Sequence, residues 1–159
     1  MRSTPALGFT LIELLITLAV LGVLAALSVP VAQVVVQRHK EQELRIALRE
    51  MRGAIDTYRR AADEGRIRRD AGSSGYPKKL QLLVEGEEDM RDPKRRKIYF
   101  LRRLPRDPMH PDVSAEAADT WGLRSYASEP LEPQDGDDVY DVYSTSPALG
   151  LDGVPYRRW

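Results

Sequence analysis

The chain has 159 residues, as many acidic as basic side chains, and no cysteine. The zero net charge gives no overall field that would attract nucleic acid, and the missing cysteines exclude disulfides, thiol catalysis and cysteine metal sites. His39 and His110 are the two histidines, and they are isolated from each other in the sequence. They make a weak case for zinc and provide no nucleophile–base arrangement, so an enzyme is the least favoured class of protein.

A long apolar run dominates the N-terminal part of the chain. No side chain from Leu14 to Gln37 is charged. A helix over Leu14–Val36 would be about 34 Å long, which is enough to cross a bilayer core of about 30 Å. Glu13 stands at the start of the run, and an unpaired carboxylate is costly in lipid, so an acid here is typical of a functional site. We therefore predict a transmembrane helix over residues 9–37.

Two simpler interpretations of this run stay open. Arg2, the apolar stretch and the small residues of Ala26-Leu27-Ser28 match the pattern of a secretory signal peptide that is cut after Ser28. A generic single-span anchor would also account for the hydrophobicity. The apolar character continues to Val36, however, and Glu13 occupies a position that is uncharged in a signal peptide. Both features favour a specialised anchor.

The segment Gly8-Phe9-Thr10-Leu11-Ile12-Glu13-Leu14 resembles the class III signal of type IV pilins and type II secretion pseudopilins. The resemblance implies that residues 1–8 are a leader, which a prepilin peptidase removes by cutting after Gly8. It further implies that Phe9, the new N-terminal residue, is methylated. Glu13 would then be the carboxylate that serves filament assembly.

The chemistry of Glu13 can also be argued from the residues themselves. A carboxylate held in an apolar helix bundle needs a positive or hydrogen-donating partner. The free amine of Phe9 on a neighbouring subunit would be such a partner, and it exists only after cleavage. Gly22 and Pro30 lie where family members carry helix-weakening residues, and Pro30 lacks the N–H of a regular helix. We therefore predict a weakened segment between Gly22 and Pro30.

The sequence after the apolar run predicts an amphipathic continuation of the same helix. Apolar residues recur every three or four positions along one stripe: Leu44, Leu48, Met51, Ile55, Tyr58 and Ala62. No helix breaker lies between Pro30 and Gly65, so we predict one helix from about Phe9 to Ala62. The stripe is expected to pack against the chain's own C-terminal part, and a coiled-coil seam is the alternative.

The C-terminal part has the pattern of a small α+β head. Trp121–Tyr126 and Val139–Ser144 are predicted strands, and 97–101 is either a strand or the end of a turn. Tyr76-Pro77 is predicted to open a short helix that ends at Gly86. These motifs resemble the head of the major type II pseudopilin. The resemblance implies a pilin-like fold in which one long N-terminal helix packs against a small antiparallel β-sheet head, with the head domain over 38–159.

No cofactor is predicted, with calcium as an alternative. A group of aspartates has the oxygen ligands that calcium prefers but not the spacing of an EF-hand: Asp119, Asp135, Asp137 and Asp138. The resemblance implies a calcium-binding loop at 144–153. This loop keeps Ser144 and Asp152-Gly153 but lacks the additional acids of the family. In place of a metal, packing of Pro147, Leu149, Leu151 and Trp159 over the core would close it.

Charge is distributed unevenly in the head. The segment Arg59–Arg106 is predominantly basic, whereas Asp107–Asp141 contains ten acids and only Arg124 as a base. The cluster Arg95–Lys97, with Tyr99 and Phe100 beside it, has balancing acids nearby and is interpreted as a solvated surface, not a nucleic-acid patch. Basic and acidic faces of neighbouring heads are hypothesised to meet in a filament.

The resemblance implies a structural pseudopilin that polymerises into the periplasmic pseudopilus of a type II secretion system and supports protein export. The implied partners are further copies of the chain, minor pseudopilins, the prepilin peptidase, an inner-membrane assembly platform and the membrane itself. The implied location is the bacterial inner membrane, single-pass, with the N-terminus cytoplasmic and the head periplasmic. The basic residues of Arg38–Arg60 would give the opposite orientation by the positive-inside rule. The alternatives are a type IV pilus subunit and a monomeric membrane-anchored binding domain.

Overall fold

The computed structural model describes residues 10–159, with the side chains of 27–31 left out of the description. The chain divides into two units, Met1–His39 and Lys40–Trp159. The predicted cleavage site at Gly8 and the predicted methylation site at Phe9 lie outside the described residues. The predicted division into leader, assembly helix and head therefore stays a prediction.

The first element is helix α1, Leu11–Asp63, which confirms the predicted long helix. It begins after Thr10, whose side-chain hydroxyl accepts the N–H of Glu13 at 3.3 Å. It ends at Asp63, and just beyond it Gly65, with a positive φ of 65°, turns the chain so that the N–H of Arg66 bonds back to the carbonyl of Ala61 at 2.9 Å. The helix continues through Gly22 and Pro30, so a weakening of this segment stays a prediction.

The described side chains of α1 within the first unit form no core. Every described side chain over 11–26 and 32–36 is exposed, although most of them are apolar. In the part of the chain that the structure describes, no helix contains a stretch both long and apolar enough to span a membrane. The transmembrane helix over 9–37 stays a prediction.

In the second unit, α1 buries the apolar stripe that the sequence predicted. All six stripe residues are buried, and Leu44, Met51 and Ile55 are fully inaccessible. They pack in one cluster with residues of the C-terminal part: Leu80, Leu83, Leu101, Trp121, Val139, Val142 and Tyr156. Burying one such side chain contributes about 1.5–3 kcal/mol, so this stripe holds the helix to the head.

Two small antiparallel sheets complete the head and confirm the α+β fold. Helix α2, Leu82–Glu85, ends at Gly86 as predicted but begins later than the predicted start at Tyr76-Pro77. Strand β1, Glu87–Glu88, pairs with β2, Lys97–Ile98, which decides between the two interpretations of 97–101. Strand β3, Trp121–Arg124, pairs with β4, Asp141–Ser144, with Trp121 opposite Ser144 and Arg124 opposite Asp141. Both predicted strands are therefore present.

Arg52 ties α1 to the end of the second sheet. Its guanidinium Nε lies 2.7 Å from a carboxylate oxygen of Asp141, the first residue of β4. Its Nη2 donates to the carbonyl of Val142 at 3.2 Å and to that of Trp159 at 2.8 Å. A planar guanidinium can serve several acceptors at once, so this one side chain joins the helix, β4 and the C-terminal segment.

Candidate assembly site

Glu13 lies in the first turn of α1, with its side chain exposed. Among the described residues, its carboxylate has no hydrogen-bond or ionic partner. Thr10 and Glu13 have the Ser/Thr-x-x-Glu spacing of a capping box, and the Thr10 hydroxyl accepts the Glu13 N–H as that motif requires. The sequence therefore contained a signal for the helix start that the pattern of apolar residues alone did not reveal.

The surface around Glu13 is apolar on all sides of the helix. Ile12 is 66% exposed, Leu15 57% and Leu21 62%. These residues point in different directions around a helix of 3.6 residues per turn, so the helix has no polar face that could lie against water. An apolar surface of this kind needs lipid or other helices to cover it.

A buried carboxylate, that of Glu41, holds the C-terminal segment of the head. Its Oε1 accepts the N–H of Leu151 at 2.7 Å and the O–H of Tyr156 at 2.9 Å. Glu41 is 7% exposed and Tyr156 only 2%. Glu41 was not among the residues predicted from the sequence, although it lies three residues before Leu44 and so continues the apolar stripe of α1. An acid on an otherwise apolar stripe was the available signal.

Arg45, one turn along α1 from Glu41, contacts the same C-terminal segment. Its guanidinium carbon lies 4.3 Å from the ring centroid of Trp159, and its Nη2 is 3.5 Å from Oδ2 of Asp152. Trp159 packs edge-on against Tyr156, with 5.0 Å between ring centroids. The segment is thus fixed by a buried carboxylate on one side and a cation over an aromatic ring on the other.

The predicted packing of this loop is partly wrong. Trp159 does pack against the core, but Leu149 is 57% exposed and Leu151 44%. The backbone, held by Glu41 and by a bond from the N–H of Gly150 to the carbonyl of Val154 at 2.9 Å, directs both leucines outward. Hydrogen bonds and Tyr156, instead of these leucines, close the loop.

The side chains of loop 144–153 do not fit a calcium site. Calcium takes six to eight oxygen ligands, several of them carboxylates. Asp152 is the loop's one acid; its Oδ1 accepts the Val154 N–H at 3.0 Å, and its Oδ2 faces the Arg45 guanidinium. The hydroxyl of Ser144 accepts the N–H of Ser146 at 3.3 Å. Within residues 10–159, apart from the side chains of 27–31, no group of three His, Asp or Glu side chains is placed to hold a metal ion.

The aspartates predicted as a group are only partly brought together. Asp135, Asp137 and Asp138 line an open cleft of about 920 Å³ with Asp70, and Asp119 is not part of it. Asp138 has a structural role, since its Oδ1 accepts hydrogen bonds from the Ser125 hydroxyl at 3.0 Å and the Tyr126 N–H at 2.8 Å.

Asp70, the cluster Arg95–Lys97 and His110 have local partners. In the cleft, Lys78 donates to Asp70 at 2.7 Å and lowers the pKa of that carboxyl group. In the cluster Arg95–Lys97, Arg96 pairs with Asp92 at 2.6 Å, as expected for a solvated surface. His110 Nδ1 lies 3.3 Å from the carbonyl of Asp112, and His39 lies in the other unit.

Comparison with known proteins places these features in a class. The model of the prokaryotic N-terminal methylation motif matches residues 5–29, which include the whole Gly8–Leu14 segment. A chain with this motif at the start of one long helix, followed by a small α+β head, is a pilin-like protein.

The match to one curated protein narrows the class. The chain is 30% identical to type II secretion system core protein G of Klebsiella pneumoniae over 154 residues, which cover 93% of this chain and 86% of that protein. It therefore belongs to the family of type II secretion system core protein G, the pseudopilins, and a role as a surface pilus subunit is not favoured. No solved structure gives a significant match.

Proposed function

We propose that the chain is a structural pseudopilin subunit that polymerises through α1 into the periplasmic pseudopilus of a type II secretion system and so supports protein export. The observation that carries this proposal is the apolar surface of α1, exposed on every side over 11–26. Lipid would cover it before assembly, and helices of other copies would cover it afterwards. A monomeric binding domain would give no reason for Glu13 to stand at the start of this surface.

Glu13 would fix the register of neighbouring helices. In a bundle its carboxylate is removed from water and needs a cationic partner, and the amine of Phe9 on the next copy supplies one. Cleavage after Gly8 creates that amine, so maturation and assembly would be coupled. Gly22 and Pro30 would let the helix between them loosen as subunits pack.

We further propose a single-pass orientation in the bacterial inner membrane, with a cytoplasmic N-terminus and a periplasmic head. The partners would be the prepilin peptidase, minor pseudopilins and an inner-membrane assembly platform. Because the chain has no cysteine, a Val113→Cys variant would report the orientation cleanly. Val113 is 88% exposed in the head, so a membrane-impermeant thiol reagent should label it once the outer membrane is opened. Labelling only after lysis of the inner membrane would contradict this orientation.

The function itself is tested by substitution at Glu13 in cells that carry the matching secretion system. We expect Glu13→Ala to leave cleavage and methylation intact, with an N-methylated Phe9 in the intact-mass spectrum, but to abolish filaments and secretion. Asp56→Ala, an exposed acid on the same helix, is the matched control and should assemble normally. Glu13→Gln separates the charge from the hydrogen-bonding capacity and should also fail if the ion pair is required.

Two results would overturn the proposal. A wild-type chain that begins at Met1 in the membrane would be a plain anchor, and one that begins just after Ser28 would be a secreted head. Normal filaments from Glu13→Ala would remove Glu13 from assembly even if cleavage occurs after Gly8.

A further inference from the structure

A groove runs along the solvent side of α1 in the head and encloses about 730 Å³. Its helical wall contains Arg49, Gly53 and Thr57, and its opposite wall is the segment 100–103 with Phe100. The groove is open at its centre because Gly53 has no side chain, and a Cβ built there would meet no atom within 4 Å. Glycine costs a helix interior about 1 kcal/mol relative to alanine, so the opening has an energetic cost to the helix.

The groove carries positive charge that the folded head does not neutralise. Arg49, Arg102 and Arg103 line it, all three are exposed, and among the described residues their side chains have no hydrogen-bond or ionic partner. Glu50 is the acid that lines the same groove. Other arginines of the head, such as Arg52 and Arg66, are paired with Asp141 and Asp89. The positive charge of the groove is therefore complementary to an acidic partner.

The chain itself contains a segment of matching chemistry, Glu129–Asp137. Its four exposed acids are Glu129, Glu132, Asp135 and Asp137, and no lysine or arginine occurs between Arg124 and Arg157. At its tip Leu131 is 84% exposed, between Pro130 and Pro133. Bonds from the Ser125 N–H to the Gln134 carbonyl at 2.9 Å and from the Gln134 N–H to the Ser128 hydroxyl at 2.8 Å close the base of the loop.

The conformation of this loop is restricted before it binds a partner. Proline limits backbone freedom, and the two closing hydrogen bonds hold the loop ends, so less conformational entropy is lost when it binds. An exposed leucine with a carboxylate on each side matches an open groove that has Phe100 inside and arginines at its rim. Loop and groove share no lining residue, and they lie on different parts of one head.

We propose that, in the pseudopilus, the acidic loop Glu129–Asp137 of one copy docks into the arginine groove, lined by Arg49, Arg102 and Arg103, of the next copy. Leu131 enters the opening beside Gly53 and Phe100, and the flanking carboxylates face Arg102 and Arg103. Each copy presents one loop and one groove, so the contact is heterologous; it does not close on itself and repeats along a filament. This inference rests on the proposed function and names the head surfaces that it uses. The charge contribution is screened by salt beyond about 8 Å at physiological ionic strength, so the contact should weaken in high salt.

Disulfide trapping in the full-length chain tests the contact, since the wild type has no cysteine that would interfere. Gly53→Cys combined with Leu131→Cys should give covalent dimers and higher ladders after oxidation of pelleted filaments. Gly53→Cys combined with Val113→Cys is the matched control, because Val113 is equally exposed but lies outside the acidic loop. Filaments that pellet but give no ladder with the first pair would overturn the inference while the proposed function stands. A wild-type chain that forms no filaments that pellet would overturn both this inference and the proposed function.

Charge reversal provides a second, independent arm. Arg102→Glu with Arg103→Glu should lower the yield of trapped dimer at least about fivefold, and Glu129→Arg with Glu132→Arg should do the same, a loss on the order of 1 kcal/mol. All four substitutions in one chain should restore the yield to within about twofold, because loop and groove are again of opposite charge. Circular dichroism should show native folding in each variant, as expected for exposed sites. Failure of the fourfold variant to recover would contradict docking between copies and would favour an acidic exported protein as the occupant.

Discussion

Glu41 shows how one buried carboxylate determines the arrangement of a loop more than a hundred residues away. Its Oε1 serves two donors, one from the backbone of Leu151 and one from the phenol of Tyr156. Carboxylate acceptors form stronger hydrogen bonds than neutral ones, and a buried donor without an acceptor is expensive. The loop conformation therefore depends on a residue of α1.

Glu41→Ala should destabilise the head because it leaves the Leu151 N–H and the Tyr156 O–H without their acceptor. Each stranded donor costs about 1–3 kcal/mol, less where water reaches it. Glu41→Gln keeps an acceptor oxygen and should lose only about 1 kcal/mol. Thermal unfolding measures both, with Gln42→Ala, an exposed neighbour, as the neutral control. Equal midpoints for Glu41→Ala and Gln42→Ala would show that the two bonds contribute little.

Because of Tyr58, the head should lose stability in alkali. Burial, followed by the negative charge of Glu87 and a hydrogen bond to it, raises the pKa of the Tyr58 phenol from 10.0 to about 12. The folded state thus holds this proton more tightly than the unfolded state, and the resulting stability is complete below pH 10 and lost as pH rises toward 12. The Tyr58→Phe variant has no phenolic hydroxyl at this position, so it lacks this contribution to the pH dependence of stability. We expect the wild type to lose more stability than Tyr58→Phe between pH 9 and pH 11, as followed by urea unfolding; parallel losses would contradict the prediction.

At the scale of elements, α1 changes its character along its length. Over 11–26 its apolar residues surround the helix, whereas from Leu44 to Ala62 they form one stripe. The first pattern is an uninterrupted apolar run and the second a periodic stripe, and both are local features of the sequence, so the sequence alone predicted the helix and its buried face. The strands β3 and β4 were predictable for the same reason, since Val, Tyr and Trp cluster there between turn residues.

The C-terminal loop could not be predicted in the same way. Its conformation depends on contacts with Glu41 and Arg45, which are remote in sequence, and no local spacing encodes them. Leu149 and Leu151 were expected inside because they are apolar, but the backbone bonds of the loop turn them outward. Hydrophobicity gives a tendency for each residue, whereas the direction of a side chain in a loop is set by tertiary hydrogen bonds.

Replacement of two glycines of the second unit by alanine should change the stability of the head in opposite directions. Gly53 lies in the helix interior with space for a methyl group, so Gly53→Ala should raise stability by about 0.5–1 kcal/mol. Gly75 has a φ of 87°, and a Cβ there would lie 2.0 Å from Nη1 of Arg59. Gly75→Ala should therefore lower stability by about 1 kcal/mol or more. Chemical denaturation of the two variants measures both effects, and the same sign for both would contradict this account.

At the scale of the whole molecule, the chain combines an apolar helix that cannot remain exposed with a head whose charges are separated on its surface. The helix supplies the nonspecific driving force for assembly through buried area, which does not by itself select a neighbour. The acidic loop and the arginine groove would supply direction and register, since charge complementarity contributes more to specificity than to affinity. Assembly strength and assembly geometry would then depend on different parts of the molecule.

Calcium should not change the stability of the head, because the head closes its C-terminal loop without a metal ion. Glu41, Arg45 and Tyr156 already fix the loop 144–153, for which the resemblance implied calcium binding, and Asp152 faces a guanidinium. We therefore expect the same unfolding midpoint for the full-length chain in detergent with excess EDTA or with millimolar calcium. A ligand at 100 times its dissociation constant adds about 2.7 kcal/mol, which would raise the midpoint by several degrees, so the measurement is decisive. Magnesium at the same concentration controls for ionic strength. A rise specific to calcium would contradict the prediction, and if that rise disappeared in Asp152→Asn, it would place the ion in this loop.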